Sequence, residues 1–217
     1  MPDFAAQRLT MVETQVRPND VTDPRIIAAL RAVPRERFVP GQRHTLAYAE
    51  GPVEVAPRRY LMDARSFSKL LQLADIQPGD RILDVAAATG YSSAVLARLG
   101  GQVTALEQDA DLVRVASDTL HAEGCKTVTV VQGALTEGVK ANAPYDVIFI
   151  NGGVESVPDS LLAQLNEGGR LVAIIQNGPQ GQAHIYLKED GVLGSRADFN
   201  SIVPDLAGFK RQVGFVF

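Results

Sequence analysis

Beyond residue 80 the chain alternates apolar runs of strand length with amphipathic stretches of helical period. "RILDVA" leads into "SSAVLARL", and "QVTALEQ" into "DADLVRVASDTLHAEG". After "TVTVVQG" and a gap come "YDVIFING", "PDSLLAQLN" and "GRLVAIIQN". The runs are apolar throughout, not at every second residue, as in parallel strands covered on both faces. That rhythm admits few folds, and it predicts an open α/β sheet wound in both directions from its middle. The rhythm then changes: "AHIYLKEDGVLGSRADF" reads as a hairpin turning at Glu189, Asp190 and Gly191, and "RQVGFVF" as one more strand.

The expected fold class is therefore α/β, a Rossmann-like doubly wound sheet, mostly parallel, with a C-terminal antiparallel hairpin. This is the layout of S-adenosyl-L-methionine (AdoMet)-dependent methyltransferases, whereas a dehydrogenase more often continues with further βαβ units. Residues 1–77 form a helical and loop segment expected to pack on the core of residues 78–217, as a single globular unit. "DPRIIAALRAV" starts with Asp23 as N-cap and Pro24 at N1, and "DARSFSKLLQLADI" repeats the device from Asp63. In the second, Phe67, Leu70, Leu71 and Ala74 share a face. Between the two lies a long Pro-rich connection, irregular in pattern, with Phe38, Tyr48 and Val53 to hold it on the core.

At 217 residues the chain suits one well-cored domain, and its net charge of −4 supplies no basic footprint for nucleic acid or an anionic membrane. No apolar run approaches the roughly 20 residues of a membrane span, and the N-terminus lacks the apolar core of a signal peptide. Cys125 is the only cysteine, which excludes an intrachain disulfide and fits a reducing cytoplasm. It reads as a small buried hydrophobe. His44, His121 and His184 stand far apart, with no metal-ligand spacing. A small substrate or a segment of another protein is the expected partner, and a monomer is favoured.

Ligands of such sheets bind beyond the carboxyl ends of the strands, where the strand order reverses. Asp84 ends the first strong strand and is expected to face that crevice. The turn after it should present backbone N–H groups to a ligand, which favours glycine, yet Ala86, Ala87 and Ala88 stand there. Alanine is nearly as small but disfavours positive φ by about 1–2 kcal/mol, so the replacement suits a position of negative φ. Gly90 remains permissive, and Thr89 or Ser92 is expected to cap the next helix. Glu107 ends the second strand 17 residues after Gly90, where a carboxylate accepts both hydroxyls of a ribose. Asn151 ends a later strand in "ING"; it either hydrogen-bonds a substrate or makes a turn with Gly152 and Gly153.

The chain resembles the protein-L-isoaspartate O-methyltransferases over most of its length. The resemblance lies in "MVETQVRPNDVTDPRIIAALRAVPRERFVP", "LAYAEGPVEV", "QPGDRILDVAAATGYSSAVLARL" and "YDVIFINGGVESVPDSLLAQLNEGGRLV". The first is specific because it lies outside the generic methyltransferase core. The resemblance implies methyl transfer from AdoMet to the misplaced carboxylate of an isoaspartyl residue. It also implies a cofactor lying against Asp84, Ala86, Ala88, Gly90, Tyr91, Glu107, Gln108, Gly133 and Ala134.

The motifs also depart from that pattern. The family's substrate loop reads Gln-Thr-Ile-Ser, one further residue, then Pro; here its Gln position is Arg59, its Ser position Met62 and its Pro position Ala64. A thioether donates no hydrogen bond to a carboxylate. Arg58 and Arg59 either bind one bidentately or stand as solvated loop charges. Ala86 and Ala88 replace glycines of the cofactor turn, and Ala134 replaces an acid that often receives the adenine amino group. Arg59, Tyr60, Met62 and Asn151 are thus the candidates facing the substrate, with no acid–base residue assigned. The alternatives are a degenerate relative that binds a ligand or protein without methyl transfer, and an NAD-dependent oxidoreductase. The second rests on the βαβ unit and Glu107, and the missing Gly-x-Gly-x-x-Gly and the hairpin count against it.

Overall fold

A computed structural model describes residues 2–210, so the expected strand "RQVGFVF" lies outside the described residues. Nine strands are described: β1 Val53–Ala56, β2 Arg59–Leu61, β3 Arg81–Val85, β4 Gln102–Glu107, β5 Val128–Gln132, β6 Tyr145–Val154, β7 Leu165–Asn177, β8 Gln180–Glu189 and β9 Val192–Asn200. The helices are α1 Phe4–Met11, α2 Pro24–Ala32, α3 Ala64–Ala74, α4 Tyr91–Arg98, α5 Ala110–Ala122 and α6 Asp159–Leu162.

Seven strands form one sheet in the order β5-β4-β3-β6-β7-β8-β9. The first five run parallel, and β8 and β9 are antiparallel additions. The strand order reverses at β3, which pairs with β4 on one side and β6 on the other. The β8–β9 hairpin turns at Asp190 and Gly191, both with positive φ. A second tight reversal, from Asn177 to Gln180, makes β7 and β8 a hairpin as well.

Successive residues of the central strands feed opposite faces. Ile82, Val147 and Phe149 join one apolar cluster, while Leu83, Ile148 and Ile150 join the other. The first cluster is the larger and takes in α2 to α5 with the N-terminal segment; the second rests on α6 and on loop residues such as Leu135 and Phe209. Asp23 and Asp63 cap α2 and α3 as their sequences predict, each accepting a backbone N–H of the first turn.

The connection between α2 and α3 is more regular than its composition predicts. It holds 3-10 turns at Arg35–Phe38 and Gly41–Leu46, then the β1–β2 hairpin, whose strands pair with each other and not with the main sheet. Alternation in "VEVA" buries Val53 and Val55. Phe38 meets Tyr91 of α4 at 5.7 Å between ring centroids, and Phe67 of α3 lies 5.6 Å from Tyr91 and 5.7 Å from Phe149 of β6. Such aromatic pairs contribute about 0.5–1.5 kcal/mol each beyond their buried area. They fix the N-terminal segment over the carboxyl ends of β3 and β6. The run "PDSLLAQLN" supplies only the single-turn α6, because β7 begins already at Leu165. Among the described residues no helix is long and apolar enough to cross a membrane.

Candidate active site at the strand ends

Asp84, expected to face an open crevice, is fully buried. Its Oδ2 accepts the hydroxyls of Ser92, at 2.7 Å, and Ser93, and its Oδ1 accepts the Asn151 side-chain amide. Burial pushes its carboxyl up to about 6 against the pull of these three donors. The three donors fill most of the carboxylate's acceptor sites, so it organises the floor of the site from below.

The following turn corrects two further expectations. Ala86 and Ala88 both take positive φ, 64° and 51°, so the alanines stand in the left-handed region that costs them about 1–2 kcal/mol each. Their amides also turn inward: Ala86 and Ala87 donate to the Leu106 carbonyl at 3.0 and 3.1 Å, and Ala88 to Glu107 Oε2 at 2.9 Å. Gly90 caps α4 with φ 95° and no side-chain cap. Thr89 instead donates its hydroxyl to the Phe38 carbonyl, and Ser92 serves Asp84. A Cβ on Gly90 would stand 2.9 Å from Leu120 Cδ1, so this glycine answers to packing against α5.

Glu107 is fully buried at the end of β4. Its Oε1 accepts the amides of Gln108 and Asp109 at 2.8 and 3.2 Å; its Oε2 accepts Ala88 N–H and the guanidinium of Arg59. Arg59 is no solvated loop charge, because its side chain is only 12% exposed and ion-paired to Glu107. Burial pulls its pKa below the ordinary value, while the Glu107 and Asp109 carboxylates pull it back up. Arg58, next to it, is exposed at the hairpin turn with φ 60°.

Tyr60, Leu61 and Met62 close over the turn, facing Ala86–Ala88, Tyr91, Ser92 and Asn151 around a cavity of about 10 Å³. That is room for about one water at most. A larger cavity, about 700 Å³, lies at the carboxyl end of β7, around the β7–β8 turn near His184 and Ser201. Asn151 belongs to β6 itself and points at Asp84 and the Val85 carbonyl, so neither of its expected roles is the one seen. Gln108 and Ala134 are exposed at the rim, and the Gly133 amide donates to the Glu107 carbonyl at 3.0 Å.

Two contributors escaped the sequence reading. Arg35, 2% exposed, donates to the Ala47 and Met62 carbonyls at 2.7 and 2.8 Å and lies 4.7 Å over the Tyr91 ring. Nothing in "PRERF" separates Arg35 from its charged neighbours. Ser93 offered a weak signal, a small polar residue in the first turn of the helix that follows the Asp84 strand.

The family model for protein-L-isoaspartate(D-aspartate) O-methyltransferase matches residues 7–202. A protein-L-isoaspartate O-methyltransferase of Koribacter versatilis (strain Ellin345) is 35% identical over 191 residues, covering 88% of this chain and 86% of its own. A solved protein-L-isoaspartate O-methyltransferase superposes with a TM-score of 0.80 at 25% identity, over 93% of this chain and 66% of that longer one. A putative protein-L-isoaspartate O-methyltransferase from Plasmodium falciparum, in complex with S-adenosyl-L-homocysteine, gives a TM-score of 0.77 at 15% identity, over 94% of this chain and 99% of its own. That last likeness is one of fold.

Proposed function

The chain belongs to the protein-L-isoaspartate O-methyltransferase family, and on that premise we propose that it transfers a methyl group from AdoMet to a carboxylate of isoaspartyl-damaged protein. The observation that carries the reading is the placing of Glu107. It is a buried carboxylate at the carboxyl end of β4, beside the strand where the order reverses, oriented by three backbone amides and ion-paired to Arg59 of the chain's counterpart of the family's substrate loop.

The donor set fits an adenosyl group. Glu107 is the acceptor for a ribose diol, and the turn of Ala86, Ala88, Gly90 and Tyr91 forms one wall of its cradle. Gln108, Gly133 and Ala134 form the outer rim. Bound AdoMet supplies a methyl group already activated on a sulfonium. The substrate carboxylate is already a nucleophile, and opposite charges cancel as the methyl moves, so the protein's work is alignment and exclusion of water. Arg59 and Tyr60 are the polar side chains of the loop available to a substrate carboxylate. Met62 keeps the methyl path dry. Asn151 and Asp84 hold the floor rigid. The substrate is a peptide or protein segment, and the single cysteine and unremarkable charge suit a cytoplasmic monomer.

The test is methyl transfer from labelled AdoMet to a peptide carrying isoaspartate, against the same peptide with ordinary aspartate. Base-labile label on the isoaspartyl peptide alone is the expected result. No turnover by folded protein sinks the proposal.

A further inference from the structure

We propose that Arg59 is a latch on the cofactor site: its guanidinium takes the Glu107 oxygen that a ribose diol needs, so AdoMet enters only when the β1–β2 hairpin lifts. The inference rests on the cofactor reading above and concerns how that site is controlled.

Three observations carry it. First, the acceptor positions of Glu107 are taken: Oε1 by the Gln108 and Asp109 amides, Oε2 by Ala88 N–H and Arg59. The three amides belong to the turns around the site and stay where they are. Arg59 comes from a separate element 48 positions away and is the one donor that can leave. Second, the same hairpin, with Met62 directly after it, fills the space. Tyr60, Leu61 and Met62 reduce the cavity over the alanine turn to about 10 Å³, far below the several hundred Å³ of an ordinary ligand pocket. Arg59 and Tyr60 are adjacent on β2, so releasing the ion pair and opening that space are one movement.

Third, the hairpin is an element separate from the main sheet. It pairs with no strand of the main sheet, and a two-stranded ribbon on its own is marginally stable in water. Gly51, φ 100° with open space where a Cβ would stand, precedes it, and a register irregularity interrupts β1 between Glu54 and Ala56. Outward it is tied by Arg43, which bonds Glu54, and inward Val53, Val55 and Leu61 rest on the core. Arg59 is its one ionic tie to the site.

Arg59 thus competes with the cofactor for one carboxylate. A latch that leaves one molecule in ten open weakens apparent binding about tenfold, which is about 1.4 kcal/mol.

The experiment is calorimetric titration with S-adenosyl-L-homocysteine, alongside amide hydrogen exchange over residues 53–61. The proteins are the native chain, Arg59→Gln, Arg59→Ala and the neighbouring charge control Arg58→Gln. The latch predicts at least tenfold tighter binding and faster hairpin exchange in both Arg59 variants, with Arg58→Gln like the native chain. The two Arg59 replacements guard against one of them misfolding. Equal affinity of native and Arg59-substituted chains overturns the latch and leaves the cofactor reading standing. No binding by any folded form overturns both, and faster exchange without binding shows a closed hairpin that guards no cofactor site.

Discussion

Arg35 Nη2 donates to the main-chain carbonyl of Met62 at 2.8 Å, joining the N-terminal segment to the residue that closes the site. Its Nε holds the Ala47 carbonyl at 2.7 Å, so one buried guanidinium sets two stretches of the connection at once. Arg35→Ala leaves both carbonyls without this donor and removes the cation over Tyr91. Each stranded buried group costs about 1–3 kcal/mol. A loss of about 3 kcal/mol or more in urea unfolding is the expected outcome, with Arg35→Lys recovering part of it. A change below about 1 kcal/mol means water or a neighbour takes over its role.

Asp84 makes stability depend on pH in the direction opposite to an ordinary ion-paired acid. Its folded pKa of about 6 exceeds the ordinary 3.8. Between those values the native carboxyl keeps a proton that the unfolded chain has released. Its contribution therefore falls as pH rises through that window, by about 3 kcal/mol at the full two units. Asp84→Asn cannot titrate. Its stability relative to the native chain should improve between pH 4 and 7 in urea unfolding at each pH. Parallel curves contradict the assignment.

The strained alanines and the crowded glycine make different predictions. Ala86→Gly and Ala88→Gly each relieve about 1–2 kcal/mol of left-handed strain. Each also loses a buried methyl of about 0.8 kcal/mol and gains about 0.5–1 kcal/mol of unfolded-state freedom. These terms nearly cancel, so thermal unfolding should show changes within about 1 kcal/mol. Gly90→Ala meets φ 95° and Leu120 at 2.9 Å together, and should cost about 2–4 kcal/mol. An ordinary alanine effect at position 90 would show that α5 yields.

Met62→Ser places a hydroxyl where the family's loop carries one. Met62 is 4% exposed, so the exchange loses about 1.5–3 kcal/mol of apolar burial. It also supplies a donor for a substrate carboxylate. Lower stability with a several-fold higher kcat/KM toward the isoaspartyl peptide is expected. Unchanged kcat/KM in a folded variant removes Met62 from the path of the substrate.

The strands β3 to β9 of the main sheet, the caps at Asp23 and Asp63 and the turn at Asp190 and Gly191 were legible in the chain because each depends on residues a few positions apart. Periodicity decides which face is covered, a carboxylate one turn away decides where a helix starts, and left-handed φ decides where a hairpin turns. The family was legible too, since its motifs are contiguous. Tertiary structure alone decided what the site's polar groups do. Asp84 faces Ser92, Ser93 and Asn151, Gly90 answers to Leu120, and Arg59 reaches Glu107 across 48 positions. A buried charge must find a partner wherever the fold offers one. No local pattern records which of several arginines lands beside the carboxylate that the sheet has taken out of water.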